Sequence, residues 1–379
     1  MILLLIIGTA GYLILLVILS IGLSRHAASG NDERPHVSVL VAARNEEENI
    51  GTCVEALLAQ DYPQDRVEII IVDDASTDRT SAIVEHFQEI DPRVRMIQAG
   101  PNPEGLGPKK NAIRWGIRSC KGEILITTDA DCTPPKSWLT NMVSCFDKGI
   151  GAVAGPSILS ANNSWLTGWL QLENLGNIAI YAGSVGLGFP IGAQGANLAY
   201  RSQVWDALGF GESGKTFSGD DDLFVQRIAR DGRWKVHYSL ESSATVPHRH
   251  HVTGKNAVSQ KRRHLSVVRW YRPEIVVLAA LVAAYHALLA LGLVVGLFVL
   301  PIFLTWLFCS AIKTLGDGLI LKKAAARLEI ELPWRWLPVA EILRPWAMLL
   351  LIPMSLVGQV SWKGRARSAA PAPNPGESL

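Results

Sequence analysis

The first apolar run of the chain is long enough to cross a membrane. Residues from Ile2 to about Leu23 are almost uninterrupted isoleucine, leucine, valine and glycine, and a helix of this length spans a hydrocarbon core of about 30 Å. A secretory signal normally has a basic segment before an apolar core of about 7–15 residues, and no basic residue precedes this run. The pattern therefore predicts a transmembrane anchor.

From Val37 the pattern changes to short apolar strands that alternate with amphipathic helices. The strands are VSVLVAAR, VEIIIVDD and EILITTDAD, and helices are predicted from about Glu47 to Ala59 and near Thr80 to Ile90. This alternation predicts βαβ units, and near-continuous apolar strands are typical of a parallel sheet with helices on both faces. Because ligands of such sheets collect at the carboxyl ends of the strands, the polar residues that end each strand are candidates for a site.

A second long apolar tract begins after about Glu274. Candidate membrane spans lie near 275–297 and 299–320, and a third apolar stretch lies near 337–360 after a basic gap. The third stretch contains Arg344 and two prolines, so it either crosses the membrane or lies at its interface. A composition of 49% hydrophobic and 18% charged residues agrees with one soluble core plus several membrane segments.

Charge predicts the side of the membrane on which the α/β domain lies. Arg25 and Arg34 follow the anchor, so the positive-inside rule places the domain in the cytoplasm, in a bacterium at the inner membrane. Five cysteines without a C-x-x-C pair suit reduced thiols there, and a net charge of +2 gives no reason to expect nucleic acid as a partner. The predicted divisions are an N-terminal transmembrane helix over 1–24, a cytoplasmic α/β domain with interfacial helices over 36–272, a region of two or three transmembrane helices over 273–361, and a disordered tail over 362–379.

Acidic residues follow two of the predicted strands. VEIIIVDD ends in Asp73 and Asp74, which suit hydrogen bonds to a ribose or nucleobase, although a turn or helix cap explains this loop equally well on its own. EILITT is followed by Asp129-Ala130-Asp131. Such a carboxylate pair suits Mg²⁺ or Mn²⁺, which commonly bridges carboxylates to substrate phosphates.

A third acidic cluster, Asp220, Asp221 and Asp222, precedes a predicted helix from Leu223 to Arg230. Three adjacent carboxylates repel one another, and this repulsion raises the pKa of at least one, which would suit a general base. Taken alone, the cluster is explained better as a negative helix N-terminus that complements the helix dipole.

The basic QKRRH segment, Gln260 to His264, stands just before the membrane tract. Arg263 suits bidentate pairing with a diphosphate. The alternative is an interfacial helix whose arginines contact lipid phosphates, and we expect both roles within this segment.

In this order the motifs resemble family-2 glycosyltransferases with the GT-A (Rossmann-like) fold, especially membrane-bound members such as ceramide glucosyltransferase, hyaluronan synthase and cellulose synthase. The resemblance covers about Val37 to Trp270. The matching elements are Ala43-Arg44-Asn45-Glu46, VDDASTD, Lys109, Asp129-Ala130-Asp131, Gly195-Ala196-Asn197, the acidic triplet and QKRRH. Each motif is weak, and their shared order makes them jointly specific.

The resemblance implies inverting transfer of a sugar from a nucleotide-sugar, expected to be a UDP-sugar. It implies that Asp129 and Asp131 hold Mg²⁺ or Mn²⁺ and that the triplet supplies the base. The spacing from Asp221-Asp222 to Trp234 matches the spacing between the E-D and G-W motifs of the family. This match favours Asp222 as the base, with an uncertainty of one residue. The implied donor-binding residues are Ala43, Arg44, Asn45, Glu46, Asp73, Asp74, Lys109, Asp129, Gln260, Arg263 and His264.

Three features depart from this pattern or lie outside it. His264 stands where the family has tryptophan, and Arg114 stands where it has asparagine, so the acceptor and sugar contacts of these positions are open. His248, His250 and His251 lack a companion ligand at zinc spacing, and we expect a loop near the site instead. The segment from Trp165 to Ile191 suits either helices at the membrane surface or core packing.

A membrane lipid is the favoured acceptor, because the basic segment and the region after Trp165 would place the cleft beside the bilayer. A polysaccharide synthase is the competing enzyme, although three or four spans are few for a secretion channel. A noncatalytic nucleotide-sugar-binding membrane scaffold is the alternative from another class. The sequence does not indicate the sugar, the lipid or the oligomeric state.

Overall fold

The structure, a computed structural model, describes residues 1–26, 30–160, 164–211, 214, 216, 218–248, 254–356, 359–362 and 365–368. The described strands are β1 (Val37–Ala43), β2 (Val67–Asp73), β3 (Val94–Gln98), β4 (Ile124–Asp129), β5 (Ile150–Ala154), β6 (Ser157–Leu159), β7 (Leu198–Arg201), β8 (Lys235–Tyr238), β9 (Val246–His248), β10 (Gln359–Trp362) and β11 (Arg365–Ser368). The described helices are α1 (Ile2–Leu23), α2 (Ile50–Leu58), α3 (Thr80–Ile90), α4 (Pro108–Ile117), α5 (Trp138–Ser144), α6 (Trp165–Gly186), α7 (Ser202–Leu208), α8 (Asp222–Asp231), α9 (Gly254–Leu265), α10 (Pro273–Gly296), α11 (Leu300–Leu328) and α12 (Leu337–Leu356). Within the described ranges, four helical segments are long and apolar enough to cross a membrane, one at the N-terminus and three near the C-terminus.

The central sheet of the described chain has seven strands in the order β3-β2-β1-β4-β7-β5-β8. Strand β1 pairs in parallel with β2 and β4, and β2 pairs in parallel with β3, as the alternating pattern predicts. Strand β7 is antiparallel to both of its neighbours, so the sheet is mixed. The sequence pattern did not indicate this reversal, because the partner of a short strand depends on packing with distant parts of the chain.

Successive side chains of β1 enter different hydrophobic cores. Val39 and Val41 pack in the core that contains α2 and α5 residues, whereas Leu40 packs with Ile70 of β2 and Ile113 of α4. Burial on both faces explains why the strands read as nearly continuous apolar runs.

The N-terminal helix packs against the α/β domain through α6. Leu19 of α1 lies in the same hydrophobic cluster as Leu172 of α6 and residues of β4 and β7. The two helices cross closely, since a Cβ added to Gly22 would lie only 2.0 Å from the carbonyl oxygen of Gly183. The segment from Trp165 thus forms one helix that contacts both the membrane anchor and the sheet.

Gly183→Ala is expected to lower the melting temperature, whereas Gly176→Ala on the same helix is expected to leave it unchanged or raise it. A Cβ at Gly183 would lie 2.7 Å from the carbonyl oxygen of Leu19, while a Cβ at Gly176 meets only a leucine side chain at 4.0 Å. Replacing glycine with alanine stabilises a helix by about 0.5–1 kcal/mol at either position. The difference in melting temperature between the two variants therefore measures the steric cost of a Cβ at the α1–α6 crossing. Thermal unfolding of both variants in one detergent checks this, and equal melting temperatures would contradict the close approach.

The apolar C-terminal helices contain a buried ionic cluster. Lys313 of α11 lies 2.7 Å from Asp317 and also pairs with Glu341 of α12. Arg344 lies 3.0 Å from Glu341, and the Tyr12 hydroxyl of α1 donates to Asp317 at 2.8 Å. Because ionisable groups inside apolar helices are costly unless they are paired, the cluster ties α1, α11 and α12 together.

Both ends of α12 lie beside the α/β domain. Near its start, Leu337 belongs to the hydrophobic cluster of α6 and the sheet. Near its end, the carbonyl oxygen of Met354 accepts a hydrogen bond from Arg262 Nε of α9 at 3.0 Å. Helix α12 therefore contacts the α/β domain near both of its ends, and the two alternatives for the third apolar stretch, crossing or interfacial, stay predictions.

Candidate active site

The carboxyl ends of β1, β2 and β4 place the first two acidic motifs at one edge of the sheet. Ala43 is the register partner of Asp73, and Ala42 is the register partner of Asp129. Asp131 follows on the turn after β4. Since neighbouring strands lie about 4.8 Å apart, residues far apart in sequence meet here, as the sheet rule predicts.

The loop after β1 is fastened to the loop after β2. Arg44 Nη1 donates to the carbonyl oxygens of Asp74 and Ala75, the second at 2.8 Å, and the backbone N–H of Asn45 donates to Ser76 Oγ at 3.0 Å. Asn45 and Ala75 adopt φ angles of 51° and 55°, a left-handed conformation that asparagine tolerates well. Arg44 and Asn45 therefore shape the predicted nucleotide loop through its backbone.

The remaining side chains of this loop hold its backbone in the same way. The Asp73 carboxylate accepts from a backbone N–H of the following turn at 3.2 Å. Asp78 accepts from the backbone N–H groups of Thr80 at 3.0 Å and Glu47 at 3.1 Å, so it joins the start of α3 to the loop after β1. The backbone N–H of Glu46 donates to Thr80 Oγ1 at 2.7 Å.

The groups on the turn after β4 that suit a cation are carboxylate oxygens and not cysteine sulfurs. Burial and the carboxylates of Asp131 and Asp129 raise the pKa of the Cys53 thiol, and burial with the same two carboxylates raises that of Cys132, so both thiols stay protonated. Across the described residues, no group of three His, Cys, Asp or Glu side chains is placed to hold a metal ion. Asp129 and Asp131 fit a cation such as Mg²⁺ or Mn²⁺ that completes its coordination with donor phosphates.

Lys109 joins the second acidic motif to the third. Its Nζ lies 2.7 Å from Asp129 Oδ1 and 3.6 Å from Asp220 Oδ2. Burial lowers the pKa of Lys109, but these two carboxylates outweigh it and leave the pKa raised. Arg263 of α9 interacts electrostatically with Asp220 and Asp129. Residues of two acidic motifs, the predicted lysine and one residue of the basic segment thus lie close together, and we call the region around them the cleft.

The three residues of the acidic triplet have different electrostatic environments. Burial opposes ionisation of Asp220, but Lys109 and Lys110 lower its pKa overall. Burial and the adjacent Asp220 raise the pKa of Asp221 to about 6. Burial and Asp221 raise the pKa of Asp222 well above its ordinary value. Their surroundings thus favour the ionised form of Asp220 and the protonated forms of Asp221 and Asp222.

Hydrogen bonds within the triplet separate the residues further. Asp221 Oδ2 accepts from the backbone N–H of Gly195 at 2.7 Å. Asp222 Oδ1 accepts from the backbone N–H of Ala193 at 3.0 Å, and its Oδ2 accepts from the Tyr271 hydroxyl. Both carboxylate oxygens of Asp222, the residue that the sequence register favoured as the base, thus accept hydrogen bonds, and its role as the base stays a prediction.

The other residues of the QKRRH segment lie on α9 with different surroundings. The side chains of Gln260 and His264 are exposed. The donor contacts predicted for these two residues stay predictions. Lys261 pairs with Glu173 of α6, and Arg262 bonds to the end of α12. Both roles expected of this segment, pairing with a diphosphate and contact with lipid phosphates, stay predictions.

Two of the sequence departures also have a place in the structure. Arg114 pairs with Glu104 and donates to the carbonyl oxygen of Pro101 at 3.0 Å, so it holds the loop before α4 rather than facing the cleft. His248 lies in β9 and forms an isolated β-bridge with Cys132, on the turn after β4. His250 and His251 lie outside the described residues.

The sequence patterns did not single out Lys110 or Tyr271. The side chain of Lys110 is fully buried, and its Nζ donates to the Ser218 carbonyl oxygen at 2.9 Å, just before the triplet. In the sequence, the signal that could have identified Lys110 is its position next to Lys109. Tyr271 belongs to no motif, and only the tertiary structure brings it to Asp222.

A mixed sheet with this acidic edge is the architecture of GT-A glycosyltransferases. The solved mannosyltransferase PcManGT from Pyrobaculum calidifontis, in complex with GDP-Man and Mn²⁺, matches with a TM-score of 0.58 and 20% identity over 94% of this chain and 97% of that one. The model of "Glycosyl transferase family 2" matches residues 38–206. An N-acetylglucosaminyltransferase of Bradyrhizobium elkanii is 33% identical over 137 residues, which are 35% of this chain and 72% of that protein. The chain belongs to glycosyl transferase family 2.

A lipid-glycosylating protein is also among the relatives. The beta-monoglucosyldiacylglycerol synthase of Synechocystis sp. is 39% identical over 112 residues, which are 30% of this chain. The chain spans less than half of the length of two curated relatives that it matches, 23% of this synthase and 47% of another protein.

Proposed function

We propose that this chain is an inverting glycosyltransferase that moves a sugar from a nucleotide-sugar, expected to be a UDP-sugar, to a hydroxyl of a membrane lipid. The observation that carries the proposal is the meeting of Asp129 and Asp220 around Lys109 at the carboxyl edge of the sheet. Family membership supports the reaction class. The conjunction of carboxylates and cations suits a donor diphosphate and its counterion.

Donor binding would use the two strand ends. The loops that contain Asp73, Asp74 and Ala43–Glu46 would hold the nucleoside, and Asp129 with Asp131 would hold Mg²⁺ or Mn²⁺. A bound cation of this kind would neutralise charge on the diphosphate. Lys109 and Arg263 would stabilise the same charge as the leaving nucleoside diphosphate departs.

The chemical step would be one in-line displacement at the anomeric carbon. Asp221 would accept the proton of the acceptor hydroxyl while the hydroxyl oxygen bonds to the anomeric carbon. The bond from that carbon to the diphosphate oxygen breaks at the same time, and its electron pair leaves with the nucleoside diphosphate. A single displacement inverts the configuration.

A lipid acceptor is supported by the position of the cleft. Helix α9 carries Arg263 toward the carboxylates and is bonded to the end of α12, so the cleft adjoins the apolar helices. The glycolipid synthase among the relatives supports the same acceptor class. We place the catalytic domain on the cytoplasmic face of the membrane, because Arg25 and Arg34 follow the anchor.

Incubation of the purified protein with a panel of nucleotide-sugars and a membrane lipid extract tests the proposal. We expect mass spectrometry to find a lipid that carries one added sugar, and we expect chelation by EDTA to stop its formation and Mn²⁺ or Mg²⁺ to restore it. A ladder of sugars would instead support a polysaccharide synthase. Donor binding without hydrolysis or transfer to any acceptor would support a noncatalytic scaffold.

A further inference from the structure

Asp222 is held by segments that lead to the membrane helices. Its carboxylate accepts hydrogen bonds from the backbone N–H of Ala193 at 3.0 Å and from the Tyr271 hydroxyl, and it interacts electrostatically with the Tyr181 hydroxyl. Tyr181 lies on α6, which crosses α1 closely, and Tyr271 lies two residues before α10 begins at Pro273. Asp222 therefore links α8 to the ends of two helices that contact or enter the apolar region.

A second link lies one helical turn further along α8. Gln226 Oε1 accepts from the backbone N–H of Arg272 at 3.1 Å, and Gln226 Nε2 donates to the carbonyl oxygen of Ile191 at 2.7 Å. Residues four apart share one face of a helix. One face of α8 is thus bonded twice to the segment after α6 and twice to the segment before α10.

We call the hydrogen-bonded contact of Asp222 and Gln226 with the segments after α6 and before α10 the joint. The residues around it are closely packed. A Cβ added to Gly192 would lie 2.2 Å from Asp222 Oδ1 and 2.6 Å from a ring carbon of Tyr181. On the other side of the triplet, a Cβ added to Gly219 would lie 2.6 Å from a methyl carbon of Val267, and Gly219 has φ +78°. The acidic turn is therefore enclosed by the residues that connect the domain to the membrane helices.

We propose that Asp222 and Tyr271 are positioning residues that fix the acidic turn, and with it Asp221, relative to the membrane helices; this rests on the proposed function, in which Asp221 is the base. Asp222 is the first residue of α8 and Asp221 is its N-cap, so a shift of Asp222 moves the neighbouring carboxylate. A misplacement of about 1 Å costs about 10²-fold in rate when reacting groups must align. The joint aligns the base with an acceptor that arrives from the membrane.

Substitutions at Asp222 distinguish positioning from catalysis. Asp222→Leu removes the hydrogen bonds of the Asp222 carboxylate, and we expect it to lower kcat by about 10–100-fold while the KM for the donor stays unchanged. Asp222→Asn is expected to retain most of the wild-type kcat, because its amide oxygen still accepts from Ala193 and its amide N–H₂ can donate to the Tyr271 oxygen. If Asp222→Asn is as inactive as Asp221→Asn, Asp222 is the base and the inference is overturned.

Two tyrosine variants test the same inference if Asp222→Leu does not fold. Tyr271→Phe removes one hydroxyl of the joint, and we expect a kcat reduced by about 3–10-fold with unchanged donor affinity. Tyr62→Phe is the matched control, since its buried hydroxyl donates to the Pro35 carbonyl oxygen at 2.8 Å outside the cleft. Equal kcat values for the two variants, at equal melting temperatures, would overturn the inference. A wild-type chain that neither hydrolyses nor transfers any donor sugar would contradict the proposed function instead.

Discussion

Replacing Asp221 with asparagine is expected to lower kcat by about 10²–10⁴-fold, the range that general-base catalysis contributes, while donor affinity stays nearly constant. Asparagine is as good an N-cap as aspartate, so α8 keeps its first turn and the loss reports the base. The pKa of Asp221 is raised to about 6 by burial and by Asp220. The wild-type rate should therefore fall as the pH drops through about 6, where the base becomes protonated. Initial rates across pH 5–8 and donor titrations of wild type and variant provide the measurement.

Asp220→Asn serves as the control for this substitution. It removes a charge 3.6 Å from Lys109 Nζ, so we expect it to change donor affinity more than kcat. An Asp221→Asn variant with full activity would exclude Asp221 as the base, whatever the result for its neighbours.

Replacing Lys313 with methionine is expected to destabilise the protein by about 3–5 kcal/mol, the cost of removing one partner from a buried ionic cluster. The substitution keeps the length of the side chain but leaves Asp317 and Glu341 buried with Arg344 as their remaining cation. Thermal unfolding in detergent measures the effect. Melting is expected many degrees lower than in the wild type.

The control for this prediction lies on the same helix. Lys322 of α11 is exposed, so Lys322→Met should change the melting temperature little. The double variant Lys313→Met/Glu341→Gln should recover part of the loss, because it removes one of the two carboxylates that would share Arg344. Equal unfolding of Lys313→Met and Lys322→Met would show that the cluster contributes nothing to stability.

Local patterns predicted the parts of the fold that depend on local properties. Strands β1, β2 and β4 were visible because burial on both faces makes them apolar throughout, and the acidic residues at their ends were visible because polar residues interrupt such runs. Helix α3 occurs over the predicted range, Thr80 to Ile90. The order of the motifs then indicated the family, which the comparisons confirmed.

Sequence could not predict features that depend on contacts between distant residues. The antiparallel direction of β7 and the bond from Tyr271 to Asp222 arise from chain segments that meet only after folding. The choice within the acidic triplet stays a prediction, because a register counted to Trp234 does not report which carboxylate is hydrogen-bonded. The role of Arg114 was open until its partner Glu104 was known.

The close crossing of α1 and α6 bears on how this enzyme can be produced. Leu19 and Leu23 fill part of the same hydrophobic cluster as Ala182 of α6, so α1 forms one wall of the core beside the sheet. A fragment trimmed to 36–272 for crystallisation would present that bare helix face to water and would tend to aggregate. Expression designs therefore need to keep the first two dozen residues, and a tag is better placed after the C-terminal helices than in exchange for the anchor.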